Sequence, residues 1–349
     1  HIHQQPESFA NAVERNGDAV ARFAEIASGK DRLYVVGIGT SWHATLMAEY
    51  FARSFGSGMT VIPVHSFDFV LYGPDLTERD AVIVISHTGR KSYSVDALER
   101  GKGSPAPTAL VTGEEGATRH EGLEHLFIAS SPEGSATYTF SYTSALGVLA
   151  SVIAEIGARR SGTDTLPEGT LTTTVPDAMR SALDQEDAAK SLASAHAKHR
   201  RIWLAGAGPG GVTAIEAALK IKESSYLQAE GFSTEQMLHG PFQSVEPDDL
   251  MILVAPAGLG QTRTLDLAKE TKSIGLDLIV VSDGSSSDID ALADGSLVVP
   301  RIDEPFSAIT TLIPLHHLAY WLAMERGTNP DKFRLDDERF AKAFALAKL

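Results

Sequence analysis

The sequence predicts an α/β protein built from two tandem, doubly wound parallel-sheet domains. The first observation is an internal repeat, because Gly206 follows Gly37 by 169 positions and Gly258 follows Gly89 by the same interval. Each glycine lies at the end of a run rich in Val, Ile and Leu, the pattern of parallel strands covered on both faces. Helical stretches separate the runs, as in doubly wound sheets. The repeat therefore indicates two copies of one fold.

The first copy begins with a predicted helix and then alternates strands and helices. Residues 8–27 are the predicted N-terminal helix. The predicted strands are residues 33–39, 61–65, 81–85 and 109–113, and the predicted helices are residues 41–55, 93–100 and 139–156. Ligands bind beyond the carboxyl ends of the strands in open α/β sheets, so the residues that follow each strand are the first candidates for a site.

The second copy follows a linker rich in Gly, Thr and Pro at residues 161–175 and a predicted helix at residues 176–198. Its predicted strands are residues 202–208, 250–258 and 279–283, and its predicted helices are residues 211–229, 261–274 and 306–326. These boundaries predict a first domain at residues 1–165, a second domain at residues 166–328 and a charged C-terminal tail at residues 329–349.

The composition narrows the classes of function. The 349 residues include 45 acidic and 30 basic side chains, for a formal charge of −15, and 43% are hydrophobic. Such a chain can bury a core in each domain, and its acidic balance argues against nucleic acid or an anionic membrane as a partner. The absence of cysteine excludes a disulfide framework, a thiolate metal site and a cysteine nucleophile. We recognise no apolar run of membrane-spanning length and no signal peptide, so we expect a cytoplasmic protein. The chain begins at His1 rather than Met, which leaves a lost leader open.

Loops with hydroxyl side chains follow two strands of the first copy. They are residues 39–41 (Gly-Thr-Ser) and residues 86–92 (Ser-His-Thr-Gly-Arg-Lys-Ser). Glycines, hydroxyls and free N–H groups at a helix N-terminus suit an oxyanion, although Ser and Thr are also common helix caps. The second copy keeps the turns but has Ala-Pro-Ala at residues 255–257. We therefore predict one anion site, in the first copy, with Arg90 or Lys91 adding positive charge.

These loops match neither of two common nucleotide-binding patterns. Residues 37–41 lack the third glycine of a dinucleotide fingerprint, and no acidic residue ends the strand at residues 61–65. No Gly-Lys-Ser/Thr sequence of a Walker A loop follows either strand. A nucleotide-dependent enzyme is therefore kept only as a third possibility.

Candidate acid–base groups lie in the second copy. Glu216, Lys220 and Glu223 fall on one face of a predicted helix at i, i+4 and i+7. We interpret Glu216 as part of a solvated charged stripe. His239 precedes Gly-Pro, where a helix must stop, and on its own it is interpreted as a loop histidine that caps the helix end.

Together these motifs resemble the double sugar-isomerase (SIS) domain family, in particular the isomerase half of glucosamine-6-phosphate synthases. The matching segments are residues 3–7, 39–41, 86–89, 133–143, 219–224 and 239–241. The resemblance implies two tandem SIS domains of flavodoxin-like fold. It also implies an aldose–ketose isomerase or aminosugar-phosphate deaminase that acts on a hexose or hexosamine 6-phosphate without a cofactor or a metal. Glutamine-dependent synthases of this family liberate ammonia with an N-terminal cysteine, so we expect no glutaminase activity here.

The resemblance assigns substrate binding to loops of the first copy. It implies that Ser41, Ser86 and Thr88 hold the phosphate and that the backbone around Ala136 and Thr137 meets the sugar. The full set of implied substrate-binding residues is Gly39, Thr40, Ser41, Ser86, His87, Thr88, Lys91, Ala136 and Thr137.

The resemblance also assigns catalytic groups, most of them in the second copy. It implies that Glu223 shuttles a proton between C1 and C2, with Lys220 orienting it. It further implies that His239 assists ring opening and reaches the site from the other subunit of a homodimer. A carboxylate base and an imidazole are suited to this chemistry near neutral pH. The resemblance makes Lys342 or Lys332 a candidate for the family's tail lysine, but neither aligns with that motif, and an ordinary charged C-terminal helix is the favoured interpretation of either alone.

The second phosphate loop departs from the family pattern Ser-Gln-Ser-Gly-Glu-Thr. Here His87, Thr88, Arg90 and Lys91 replace Gln, Ser, Glu and Thr. Thr88 keeps a hydroxyl and Lys91 offers a cation, whereas His87 is either a ligand contact or a polar cap. The altered loop leaves another phosphosugar open, such as a fructosamine phosphate. A non-catalytic sugar-phosphate sensor is the alternative class of function.

Overall fold

The computed structural model describes residues 1–347 and contains two five-stranded, all-parallel sheets. The strands of the first sheet are β1 (Arg32–Gly37), β2 (Thr60–His65), β3 (Asp80–Ile85), β4 (Thr108–Gly113) and β5 (His125–Ser130). Their order across the sheet is β2-β1-β3-β4-β5. The three central strands are apolar on both faces and almost wholly buried, as parallel strands between two layers of helices require.

The second sheet repeats the first. Its strands are β6 (Arg201–Gly206), β7 (Gln228–Ser233), β8 (Leu250–Val254), β9 (Asp277–Ser282) and β10 (Gly295–Val298). Their order is β10-β9-β8-β6-β7, which is the strand order of the first sheet when it is counted within the copy. Both sheets therefore have the 2-1-3-4-5 order of flavodoxin-like folds. The predicted fold class is confirmed.

Fifteen α-helices in residues 1–347 surround these sheets. They are α1 (Gln5–Arg15), α2 (Gly17–Ala27), α3 (Thr40–Phe55), α4 (Ser66–Tyr72), α5 (Ser92–Lys102), α6 (Glu114–Arg119), α7 (Phe140–Ser161), α8 (Val175–Leu183), α9 (Glu186–His196), α10 (Pro209–Ser225), α11 (Thr234–Leu238), α12 (Gln261–Ile274), α13 (Ser287–Asp290), α14 (Glu304–Arg326) and α15 (Glu338–Ala347).

Three predicted helices are divided or end early in the structure. The helix predicted at residues 8–27 is two helices, α1 and α2, that meet at the buried Asn16. The helix predicted at residues 176–198 is likewise divided into α8 and α9. The helix predicted to reach Ala229 ends at Ser225, because Tyr226 takes a left-handed conformation with φ of 59° and the chain then enters β7. Strand β7 was missed because its sequence, Gln-Ala-Glu-Gly-Phe-Ser, is not an apolar run.

Helix α7 corrects another expectation. It is 22 residues long with a mean hydropathy of 1.4 in its most apolar window, so by length and composition it could cross a membrane. The expectation that no run reaches this length is therefore wrong. However, 83% of that window is buried inside the protein, where α7 packs against α1, α2, α3 and β5. Such surroundings are those of a core helix.

One apolar core joins the two halves of the chain. It includes Ile83 of the first sheet and Ile252 of the second. At its centre α3 meets α14 and α10, and Phe306 stacks against Phe51 and Phe55 with ring centroids 5.8 Å apart in each pair. Helices α3 and α10 each follow the first strand of their sheet, so their contact brings the two strand ends together.

Candidate active site

A cavity of about 580 Å³ lies at the carboxyl ends of β1 and β3. Of the residues predicted to form the site, those that line it are Gly39, Thr40, Ser41, Ser86, His87, Thr88, Lys91 and Glu223. Loops of the first domain thus meet one acidic side chain of the second. Tyr138, Ser141, Phe333 and Ala347 line the same cavity, so the C-terminal tail also contributes to its wall.

The hydroxyls of the second loop lack partners. Within residues 1–347 the buried Oγ of Ser86 and Oγ1 of Thr88 make no hydrogen bond. Buried polar groups are almost always paired, so unpaired ones facing a cavity point to a ligand that completes them. Each hydroxyl can donate to an oxyanion. These two atoms are the strongest local sign of an anion site.

The first loop brings its backbone close to the same cavity. Helix α3 begins at Thr40, directly after Gly39 at φ of 59°, a conformation that side chains rarely adopt. At Gly37, a Cβ atom would lie 2.3 Å from the carbonyl oxygen of Ser41. These glycines let β1 turn tightly into α3, so that the positive end of the helix dipole faces the cavity.

His87 and Lys91 complete the polar wall, and both have lowered pKa values. Burial lowers the pKa of His87, whose Nδ1 lies 3.5 Å from the Oγ of Ser130 and whose ring meets Tyr138 edge-on. The imidazole is therefore neutral at pH 7. Partial burial, and then the neighbouring Arg90 guanidinium, lower the pKa of the Lys91 ammonium. Lys91 lies directly before α5, where a cation can meet a bound anion.

Helix α10 carries a buried row of charges. Lys220 is only 1% exposed, and its Nζ lies 2.7 Å from Oε2 of Glu223 and 3.4 Å from Oε1 of Glu216. Burial opposes the charge on Lys220, but the two carboxylates outweigh burial and raise its pKa. Burial raises the pKa of Glu223, although Lys220 opposes that shift. The result is a fixed ammonium beside a carboxyl group that can take up and release a proton.

Glu216 contradicts its interpretation as part of a solvated stripe. It is fully buried, and its carboxylate accepts from the Oγ1 of Thr40 at 3.1 Å and lies 2.5 Å from Nδ1 of His43. Burial favours the neutral acid, but Lys220 and His43 together hold the pKa of Glu216 below its usual value. No sequence pattern predicts this contact, because His43 lies in the other domain, 173 positions earlier.

Glu133 is a further residue that the sequence reasoning left without a role. Its buried carboxylate accepts from the backbone N–H and the hydroxyl of Thr139, at 2.7 and 2.8 Å. It also accepts from the hydroxyl of Ser141 at 2.7 Å. The carboxylate therefore holds the segment that leads into α7 against the cavity. Two hydroxyl residues at the start of a helix, Thr139 and Ser141, are the only sequence sign of this role.

Ala136 and Thr137 do not line the first cavity. The backbone N–H of Ala136 donates to the carbonyl of Asp331 at 3.1 Å, and the hydroxyl of Thr137 donates to the carbonyl of Pro330 at 2.6 Å. Thr137 lines a second cavity of about 410 Å³ together with Lys220. The segment predicted to meet the sugar thus binds the start of the C-terminal tail.

His239 and Lys342 also lie outside both cavities. The side chain of His239 is 70% exposed, and its Nε2 lies 2.7 Å from Oε1 of Glu235. Lys342 lies on the exposed helix α15 and pairs with Glu338 at 2.7 Å, the surroundings of the ordinary charged helix considered above. Lys332 lies in the turns before that helix and lines neither cavity. Within one subunit, neither lysine reaches Glu223.

Both halves of the chain are similar to known proteins. The SIS domain family matches residues 25–153 and 196–326. A glutamine–fructose-6-phosphate aminotransferase (isomerizing) from Pyrococcus horikoshii is 30% identical over 336 residues, which is 95% of this chain and 55% of the relative. The chain spans about half the length of the curated relatives it matches.

Solved structures share the fold at low sequence identity. The C-terminal domain of a glucosamine-fructose-6-phosphate aminotransferase from Francisella tularensis has a TM-score of 0.82 at 21% identity, over 95% of this chain and 96% of that one. A tagatose-6-phosphate ketose/aldose isomerase from Escherichia coli has a TM-score of 0.77 at 20% identity, over 95% and 93% of the two chains. A glucosamine-6-phosphate deaminase from Thermotoga maritima has a TM-score of 0.71 at 21% identity, over 93% and 97%. With one family match on each sheet, and most of the sequence covered, this chain belongs to the SIS domain family.

Proposed function

We propose that this protein is an enzyme that isomerises or deaminates a hexose or hexosamine 6-phosphate. The observation that carries the proposal is one cavity lined both by the unpaired, buried hydroxyls of Ser86 and Thr88 and by Glu223. The hydroxyls suit a phosphate, and the carboxyl group suits proton transfer at carbon. Relatives and structural neighbours named as aminotransferase, ketose/aldose isomerase and deaminase support the same chemistry.

The phosphate is proposed to lie between the two loops of the first domain. Hydroxyl donors from Ser41, Ser86 and Thr88 converge there with the amino end of α3. Lys91 adds a positive charge at the start of α5. Hydrogen bonds from neutral donors to an anion, supported by one cation, compensate the phosphate charge while the protein as a whole stays acidic.

Glu223 is proposed to move the proton between C1 and C2 of the open-chain sugar. A carbonyl group acidifies the neighbouring C–H bond, and the carboxylate takes that proton to give an enediol. Return of the proton to the other carbon gives the isomeric sugar. From an aminosugar the same transfer gives an imine at C2, which water hydrolyses with release of ammonia. Lys220 holds the carboxylate in place at 2.7 Å.

Ring opening is proposed to come from His239 of a second copy in a homodimer. Within one subunit His239 is exposed and lies outside both cavities, so it needs another route to the substrate. An imidazole can take a hydroxyl proton from one oxygen and give it to another near neutral pH. The proposal therefore includes two equivalent sites, each completed by the other subunit.

The test is a panel of sugar 6-phosphates, scored first by thermal shift and then by product and ammonia release. A bound ligand raises the melting temperature by mass action. We expect the wild type to bind and turn over at least one member. Glu223→Gln should still bind it and lose turnover by about a hundredfold or more. Ser86→Ala should weaken binding by roughly tenfold, since a hydrogen bond to a charged group is lost.

Two control variants separate these effects from general damage. Glu230→Gln changes an exposed carboxylate next to Lys222, and Ser285→Ala changes a hydroxyl at the carboxyl end of β9 in the second sheet. Both should behave as the wild type. Binding without any turnover by the wild type would indicate a sensor instead. Tight nucleotide binding without sugar-phosphate binding would overturn the proposal altogether.

A further inference from the structure

Two histidines and an aspartate converge at the amino-terminal edge of the second sheet. His196 ends α9, His199 lies in the turn before β6, and Asp277 begins β9. All strands of this sheet run in one direction, so this edge is opposite the carboxyl ends of its strands, and none of the three residues lines the candidate active site. Nothing in the proposed sugar chemistry uses these three side chains.

The three side chains have the spacing of metal ligands. Nδ1 of His196 and Nε2 of His199 are 3.2 Å apart. Oδ2 of Asp277 lies 3.5 Å from the first nitrogen and 3.2 Å from the second. Ligands at the zinc bond lengths of proteins are separated by about 3.3 Å along the edges of a tetrahedron. The triangle therefore fits one face of a tetrahedral site.

The hydrogen bond of His199 to the backbone leaves its other ring nitrogen facing the centre of the cluster. Nδ1 of His199 lies 2.7 Å from the carbonyl oxygen of Asp248. A carbonyl only accepts, so this nitrogen carries a proton, and Nε2 is the nitrogen of His199 that can offer a lone pair to a cation. Asp277 is likewise an acceptor, and without a metal the Nδ1 of His196 can donate to Nε2 of His199. The same contact to a carbonyl commonly orients metal-bound histidines.

A second group of similar composition provides a contrast. His3, Glu186 and His317 also lie near one another. Nε2 of His3 is 2.9 Å from Oε2 of Glu186, whereas Nδ1 of His317 is 3.9 Å from Oε1 of the same carboxylate. There an ordinary hydrogen bond from His3 to Glu186 accounts for the closest contact. This group is a matched control, because it also has two histidines and one carboxylate but forms a less regular triangle.

We propose that His196, His199 and Asp277 bind a divalent transition-metal cation of the zinc class. Two imidazoles and one carboxylate supply three ligands. Water fills the fourth position, because the side chain of Asp277 is 48% exposed and leaves the site open to solvent. Another carboxylate, Asp294, is already held by Lys272 and by the N–H of Leu278. The bound cation would fasten the end of α9 to the start of β9.

The experiment uses the full chain without a histidine tag, stripped with EDTA and titrated with Zn²⁺ alone. We expect one equivalent to bind and the melting temperature to rise. His199→Gln and Asp277→Asn should each lose that equivalent or weaken its binding more than about tenfold. His3→Gln and Glu186→Gln should bind as the wild type. A melting scan without metal confirms that each variant folds, and Asp277→Asn, a change of one half-exposed group, decides the matter if His199→Gln does not.

Three results would overturn the proposal. They are the absence of zinc binding by the wild type, equal binding by the wild type and both ligand variants, and loss of zinc in His3→Gln instead. In each case the cluster is a group of two imidazoles and one carboxylate held by hydrogen bonds without a metal. None of these results depends on sugar turnover.

Discussion

Glu216 and Glu223 are carboxylates on one helix whose surroundings drive their pKa values in opposite directions. Glu216 is buried beside Lys220 and His43, which hold its pKa low. Burial raises the pKa of the partly buried Glu223 and the charge of Glu216 adds to this shift, while Lys220 and then His43 oppose it without cancelling it. Titratable groups with divergent pKa values commonly have different tasks in an active site. Here Glu216 is suited to remain an anion that anchors Lys220, and Glu223 to exchange a proton.

The first prediction at this scale concerns Glu216→Gln. The negative charge of Glu216 contributes to the raised pKa of Glu223, so its removal should lower that pKa. The acidic limb of the kcat–pH profile, where Glu223 must be ionised, should then move to lower pH. Turnover should also fall by roughly tenfold or more, because Lys220 loses one of its two anchors. If kcat falls while the pH profile keeps its position, Glu216 has only a structural role. Glu230→Gln is the control variant, and we expect it to change neither kcat nor the pH profile.

At the scale of elements, α10 is the helix on which the site depends. It packs against α14, α3 and β7, so three of its sides are covered. That packing allows the helix to bury Lys220 and Glu216 while it presents Glu223 to the cavity. Strand β7 approaches α10 closely at Gly231, where a Cβ atom would lie 2.4 Å from the backbone oxygen of Ala214.

Gly231→Ala should therefore push α10 away from β7. Because the neighbouring atoms belong to the backbone, overpacking should lower the free energy of unfolding by about 1–3 kcal/mol. Urea denaturation measures the change. Gly17→Ala is the matched control, since its Cβ meets nothing within 4 Å, and it should be neutral or stabilise by up to about 1 kcal/mol. Equal urea midpoints for the two variants would show that β7 moves away from α10 without a loss of stability.

The elements also show what a single sequence can predict. The central strands were predictable because they are apolar on both faces, and the loops after β1 and β3 were predictable because hydroxyls and glycines follow those strands. The ends of α1, α8 and α10 were not, since Asn16 and Tyr226 interrupt helices without a proline to mark the break. The partner of Glu216 was not predictable either, because its contact with His43 exists only once two domains pack together.

At the scale of the whole molecule, buried groups from both halves share one core, and their ionisation links pH to stability. Burial lowers the pKa of His316 to about 3 and that of His317 to about 4. In the unfolded chain both return to about 6.5. Between pH of about 6.5 and about 4 the unfolded state thus binds more protons than the folded state. The contribution of these two histidines to the free energy of unfolding is therefore fully present above this pH window, and it is lost as the pH falls through the window.

We expect the free energy of unfolding to fall steadily when the pH is lowered from about 7.5 to about 5. Glu223 acts in the opposite direction, since its raised pKa favours the folded state in acid, but two histidines outweigh one carboxyl group. Urea titrations at several pH values measure the trend. His317→Gln should flatten it, and a wild-type stability that is constant over this range would contradict the expectation.

The proposed homodimer predicts complementation between two inactive variants. A homodimer of Glu223→Gln lacks the carboxylate in both sites, and a homodimer of His239→Gln lacks the imidazole in both sites. In a mixed dimer one site keeps both wild-type groups if His239 acts across the interface. Equimolar mixing with subunit exchange should then restore about a quarter of wild-type turnover. No recovery, in a mixture shown to contain mixed dimers, would place His239 and Glu223 in the same subunit's site or remove His239 from the reaction.

The buried contact between Glu216 and His43 also has a consequence for how this chain can be divided. It joins the carboxylate of the second half to Thr40 and His43 of the first half, beside Lys220. A break of the backbone in the exposed linker, near Gly162, would leave this contact and the common core intact. The two fragments should remain one particle, whereas either fragment alone would expose the buried polar groups of this contact and apolar surface. Two sequence domains here make a single folding unit, and neither is an interchangeable module.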